Sequence, residues 1–149
     1  LEFSDLHIPR AARKRATRYR LSVDQHMDSV VRGIQQQHGK ECWLYPPLVD
    51  AFQTLHTKPA HGMRIRSIEL WDLAGNLVAG ELGYSMGACY TSLSGFRAPN
   101  TEGAGTVQCC CVATHLRRCG FSLWDLGMVM DYKVSLGAKE LPRGSFLEA

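Results

Sequence analysis

Residues 66–72 and 77–84 are two alternating runs separated by the short segment Leu73-Ala74-Gly75-Asn76. Period-two alternation marks strands, and a Gly/Asn turn of this length joins antiparallel neighbours, so the chain must fold around a β-hairpin. Within the first run Ile68 and Leu70 share one face, and Glu69 and Trp71 share the other. Residues 88–96 supply a third strand and extend the hairpin to a meander. Residues 97–106, rich in Pro, Asn and Gly, read as a loop.

Helical spacing lies on either side of the meander. Ser22-Val23-Asp24-Gln25 has capping-box spacing and predicts a helix opening at Ser22. Met27, Val30, Val31 and Ile34 form its apolar stripe and Gly39 ends it. Pro46 and Pro47 suit the start of a second helix with Leu48, Phe52 and Leu55 on one face. Cys109, Val112, Ala113 and Leu116 mark a buried helix closed by Arg117, Arg118 and Gly120. Residues 121–128 read as a short apolar strand, 131–136 as one or two helical turns, and 139–147 as a last strand interrupted by Pro142. The pattern defines an α+β domain over residues 22–149, preceded by a basic lead-in over residues 1–21. The chain has no initiator Met, which reads as an excerpt or processed form of something longer.

Net charge is only +3, but Arg10, Arg13, Lys14, Arg15, Arg18 and Arg20 crowd one segment with no acid among them. Such a block repels itself unless it is solvated or meets an anionic partner, and phosphate is the natural one. The six cysteines contain no Cys-x-x-Cys pair, and His115 alone lies near the Cys109-Cys110-Cys111 run. They read as reduced, buried small hydrophobes with no metal site and no disulfide framework. No apolar run is long enough to span a bilayer as a helix, so no membrane partner is expected.

Asp125, between Trp124 and Leu126 near the end of an apolar strand, has two readings. It is a carboxylate kept for chemistry, or it caps the following turn or pairs with an Arg. Trp71, Tyr84, Tyr90 and Phe96 are core residues or the wall of an apolar pocket where a base stacks. Gly103-Ala104-Gly105, ahead of a helix, is a flexible loop or a turn whose N–H groups cradle pyrophosphate.

Five segments, taken in order, resolve part of this ambiguity. Residues 66–72 read Arg-Ser-Ile-Glu-Leu-Trp-Asp, 77–84 read Leu-Val-Ala-Gly-Glu-Leu-Gly-Tyr, and 90–96 read Tyr-Thr-Ser-Leu-Ser-Gly-Phe. Residues 120–127 read Gly-Phe-Ser-Leu-Trp-Asp-Leu-Gly, and 135–143 read Ser-Leu-Gly-Ala-Lys-Glu-Leu-Pro-Arg. Together they resemble the leucyl/phenylalanyl-tRNA–protein transferases, of which the chain looks like a divergent member. The resemblance implies a GNAT-like mixed sheet with packed helices. It also implies transfer of an amino acid from charged tRNA to the N-terminus of an acceptor protein, marking it for degradation.

The same resemblance implies Asp125 as the catalytic carboxylate, with no cofactor and no metal. It places Trp71, Glu81, Tyr84, Tyr90, Ser92, Ser94, Phe96 and Lys133 at the substrate, and Arg13, Lys14, Arg15, Arg18 and Arg20 on tRNA. The partners it implies are aminoacyl-tRNA and an acceptor with a basic N-terminal residue. A monomer in the cytoplasm is expected, without the family's small N-terminal domain. The familiar members have Met where Glu81 and Gly95 stand, Glu at Leu93, Gln at Gly127 and Ser-Lys at Ala104-Gly105. A charge at Glu81, if it faces the acyl pocket, disfavours Leu or Phe there. Two other readings stand beside this one: a GNAT-like acetyl-CoA-dependent N-acetyltransferase using the Gly103–Gly105 turn, and a non-catalytic tRNA- or N-terminus-binding module.

Overall fold

The hairpin forms as the alternation requires. In the computed structural model, which describes residues 1–148, strands β2 (Met63–Asp72) and β3 (Leu77–Met86) pair antiparallel. Asp72 closes their turn: its carboxylate accepts the Asn76 backbone N–H and the Asn76 side-chain amide, each at 2.8 Å. Gly75 sits there at φ 87°, a conformation that glycine adopts without Cβ strain. Strand β4 (Cys89–Arg97) continues the meander, and β1 (Tyr19–Val23) adds antiparallel to the far side of β2. Strand β5 (Leu123–Asp125) pairs parallel to β4, and the crossover that parallel pairing demands is helix α4 (Ala104–Arg118). The sheet order is β1-β2-β3-β4-β5.

Alternation divides the sheet into two buried faces. Ile68 and Tyr90 pack with Trp124 against Val112, Ala113 and Leu116 of α4. Beside them Leu70, Val78 and Ala79 meet Val107 and Cys110 of α4 and Ala12 of helix α1 (Arg10–Ala16). On the opposite face Ile65 and Leu82 meet Val30, Val31 and Ile34 of helix α2 (Met27–His38). Helix α3 (Pro46–Thr57) packs outside that cluster through Phe52 and Leu55, with Pro46 in its first turn. Leu1, Phe3 and Ala12 are all buried, so the lead-in contributes to the same core as the rest. Strand β1 itself runs across residues 21 and 22.

Three expectations are corrected. Ser22 does not open a helix: it lies in β1, and α2 begins at Met27. The reason is Glu69, a fully buried carboxyl that needs donors on this face. Ser22 Oγ donates to Glu69 Oε2, while Ser67 Oγ at 2.6 Å and the His26 N–H at 3.1 Å donate to Oε1. The final strand is likewise absent from its expected place, because Arg143–Glu148 is a helix, α6. Pro142 cannot donate to a sheet ladder and sits naturally just ahead of a helix, where its carbonyl accepts the Phe146 N–H at 2.9 Å. The strand expected over 121–128 shrinks to Leu123–Asp125, since Gly127 turns the chain away at φ 67°. Helix α5 (Asp131–Ser135) then occupies the helical turn expected over 131–136.

Candidate active site

Strand β5 pairs with only Cys89, Tyr90 and Thr91 of β4. Residues 92–97 of β4 stay paired to β3 but, among the described residues, have no strand on their other edge, and a cleft of about 1040 Å³ opens along it. Its walls come from the C-terminal end of α2, the first turns of α4, and the segment after β5. A second cleft, of about 600 Å³, lies on the other side of that segment and contains Asp125. Both are lined by Trp124, Leu126, Gly127, Met128 and Lys133, so they meet at this wall.

The floor of the larger cleft is polar although it is buried. Glu81, on β3, is 9% exposed. Its Oε1 accepts from the Tyr90 hydroxyl at 2.9 Å and from Ser92 Oγ at 3.2 Å. Ser92 Oγ in turn accepts from the Trp124 indole N–H at 2.9 Å, so β3, β4 and β5 are tied by one chain of hydrogen bonds. Burial pushes the Glu81 carboxyl up to about 7, against the lowering effect of the two hydroxyls and of the Lys133 ammonium. Tyr90, equally buried and facing that carboxyl, is pushed well above its ordinary value.

Asp125 lies on the opposite face of β5 from Trp124. Its Oδ1 accepts the Gly127 N–H at 2.8 Å, and Thr91 Oγ1 donates to its Oδ2 at 3.4 Å. The capping reading of Asp125 is thus realised, and its second oxygen is held only by a long bond. Lys133 Nζ donates to the carbonyls of Leu126 and Met128, which places an ammonium at the wall shared by the two clefts.

The other expected residues divide. Ser94 and Phe96 line the larger cleft with Glu81, Ser92 and Lys133. Phe96 fits there because Gly33 and Gly80 leave room; a Cβ at either would lie within 2.8 Å of its ring. Trp71 is elsewhere: its indole N–H donates to Ser22 at 2.8 Å and its ring meets His26 edge-on. Tyr84 packs in the α2–α3 core and does not line the cleft. Arg13, Lys14, Arg15, Arg18 and Arg20 are exposed on and after α1, and among the described residues none has an ion-pair partner. Arg15 reaches the cleft mouth, where a Cβ on Gly103 would come within 2.6 Å of its Nη1.

Gln108 was not among the sequence candidates. It is 5% exposed, lines the larger cleft from α4, and its Nε2 has no hydrogen-bond partner. A signal existed: Gln108 lies four residues before Val112, on the helix stripe that the sequence marks as buried.

The fold is shared with proteins of known structure. The C-terminal domain of a putative lysylphosphatidylglycerol synthetase from Agrobacterium fabrum matches 87% of this chain and 44% of its own, with TM-score 0.61 and 17% identity. An aminoglycoside acetyltransferase from an uncultured soil metagenomic sample matches 86% of this chain and 94% of its own, with TM-score 0.59 and 11% identity. At such identities the likeness concerns fold alone, and the GNAT-like expectation holds.

The model of the leucyl/phenylalanyl-tRNA protein transferase family matches residues 1–149, and the chain belongs to that family. A leucyl/phenylalanyl-tRNA–protein transferase of Pseudomonas fluorescens is 35% identical over 97% of this chain and 62% of its own length. That of Dinoroseobacter shibae is 31% identical over 98% of this chain and 62% of its own. The chain thus spans under two thirds of the length of these relatives.

Proposed function

We propose that the chain carries out aminoacyl transfer from charged tRNA to the N-terminus of an acceptor protein. The observation that supports this best is the pair of clefts meeting at residues 124–128 and Lys133, one closed by buried polar groups and the other holding Asp125. Two reactants are needed, and two clefts with a common wall give each a place within reach of the other. The aminoacyl ester enters the larger cleft with its side chain toward Glu81, and the acceptor N-terminus enters the smaller one beside Asp125.

The ester is already activated, so the reaction needs positioning, a neutral amine and stabilisation of the tetrahedral oxyanion. The amine nitrogen attacks the ester carbonyl, the carbon–oxygen bond to the terminal ribose breaks, and the amine proton finishes on that ribose oxygen. Asp125 orients the amine through Oδ2 and accepts its proton as the nitrogen–carbon bond forms. Lys133, fixed by two carbonyls, supplies positive charge at the shared wall where the oxyanion develops. Ser94 is the hydroxyl free to assist, because Ser92 is held between Trp124 and Glu81. The body of tRNA lies along Arg13, Lys14, Arg15, Arg18 and Arg20, which lead to the cleft mouth through the Arg15–Gly103 contact.

The test is transfer of a labelled amino acid from charged tRNA to peptides of varied N-terminal residue, basic ones first. Asp125→Asn keeps an acceptor for the Gly127 N–H but removes the base. A fall in kcat of about 100-fold or more is expected from that change. Transfer that survives it unchanged removes Asp125 from the mechanism, and no transfer from any charged tRNA removes the proposal.

A further inference from the structure

The larger cleft ends on two polar groups that the protein leaves unmatched. Glu81 uses Oε1 for both Tyr90 and Ser92, and its Oε2 has no hydrogen-bond partner among the described residues. Lys133 does not fill that place, because its ammonium is bonded to the Leu126 and Met128 carbonyls. Gln108 lines the same cleft, and its buried Nε2 donates to nothing. One spare acceptor therefore faces the cleft, and one spare donor lies just beneath its lining.

A leucyl or phenylalanyl group seated on this floor would cut Glu81 Oε2 off from water and would leave Gln108 Nε2, already out of reach of water, without an acceptor. Each buried group so stranded costs about 1–3 kcal/mol, or roughly tenfold to a hundredfold in affinity. A ligand that matches both groups escapes that cost, and sites built on such pairs reject analogues that lack them. We infer that the aminoacyl side chain this cleft selects is a carboxamide, whose N–H donates to Glu81 and whose carbonyl accepts from Gln108. The inference rests on the transfer function proposed above and names the acyl group within it.

The experiment uses stable conjugates in which adenosine carries an aminoacyl group through an amide in place of the ester. Conjugates of Gln, Asn, Leu, Phe and Lys are titrated calorimetrically into the whole chain, and the correspondingly charged tRNAs are run in the transfer assay. The expected result is tightest binding by Gln or Asn, about tenfold or more over Leu and Phe. In Glu81→Met, and separately in Gln108→Leu, that preference should shrink or reverse toward Leu and Phe. Glu81→Gln keeps the polar floor should the Met variant fail to fold, and should bind the Gln conjugate more weakly than the parent. Tightest binding by Leu, Phe or Lys overturns the assignment while leaving aminoacyl transfer standing. Failure of every conjugate to bind, together with no transfer from any charged tRNA, overturns the transfer function itself.

Discussion

Replacing Glu81 by Gln should change how stability depends on pH, and the burial of the carboxyl sets the sign. The buried carboxyl titrates at about 7, against an ordinary 4.5. Between those values the folded protein holds a proton that the unfolded chain has released. Stability therefore falls as pH rises from the lower value to the higher one, and is level on either side of that window. The interval corresponds to roughly 3 kcal/mol.

Gln fills the same space and can still accept from Tyr90 and Ser92, but it does not titrate. Tyr90, pushed well above its ordinary value, stays protonated throughout the window. Urea denaturation of both proteins at about pH 5 and about pH 8 gives the comparison, with groups common to both cancelling in the difference. The parent should lose about 2 to 3 kcal/mol relative to the Gln variant across that range, most of the full window. Stability curves that run parallel would mean that Glu81 is hydrated or paired in solution, and the argument from desolvation would fall.

Other consequences are open to direct measurement. A Cβ at Gly83 would lie 2.3 Å from the Tyr90 hydroxyl oxygen and 2.5 Å from the Thr91 carbonyl oxygen. Gly83→Ala should therefore destabilise the fold by about 1–3 kcal/mol in urea titration, and an unchanged midpoint would show that β4 moves freely. Burial pushes the Cys109 thiol up to about 12 and the Cys110 thiol to about 11, whereas Cys119 is exposed. Iodoacetamide at about pH 8 should label Cys119 first and spare those two until the protein unfolds, as mass spectrometry of peptides would show. Neutralising Arg13, Lys14 and Arg18 together should weaken tRNA binding and flatten its salt dependence by about two to three phosphate contacts in a filter-binding assay. An unaltered slope would place the tRNA elsewhere.

The hairpin was legible because its alternation, its turn and the burial of Ile68 and Leu70 agree with one another. Pro46 and the α4 stripe were legible for the same reason, since local preference and packing point one way. Ser22 misled because its capping spacing is local, whereas the demand of Glu69 comes from 47 residues away. Residues 139–147 misled because apolar residues there imitate a strand, and the missing N–H of Pro142 weighed less than it should have. At the candidate site, motif order pointed to Asp125, Ser92 and Lys133, which line the two clefts. It could not separate Trp71 and Tyr84 from them, since adjacency along a strand does not say which face meets a cavity.

The bonds that run from the Trp124 indole through Ser92 to Glu81 also make the protein its own optical probe. Trp124 is fully buried, and it is hydrogen-bonded to a hydroxyl whose other partner is the titrating carboxyl. Any event that changes the charge or company of Glu81 alters the field at that indole. With Trp43 and Trp71 replaced by Phe, the emission of the remaining tryptophan would follow occupation of the cleft in real time, without a label.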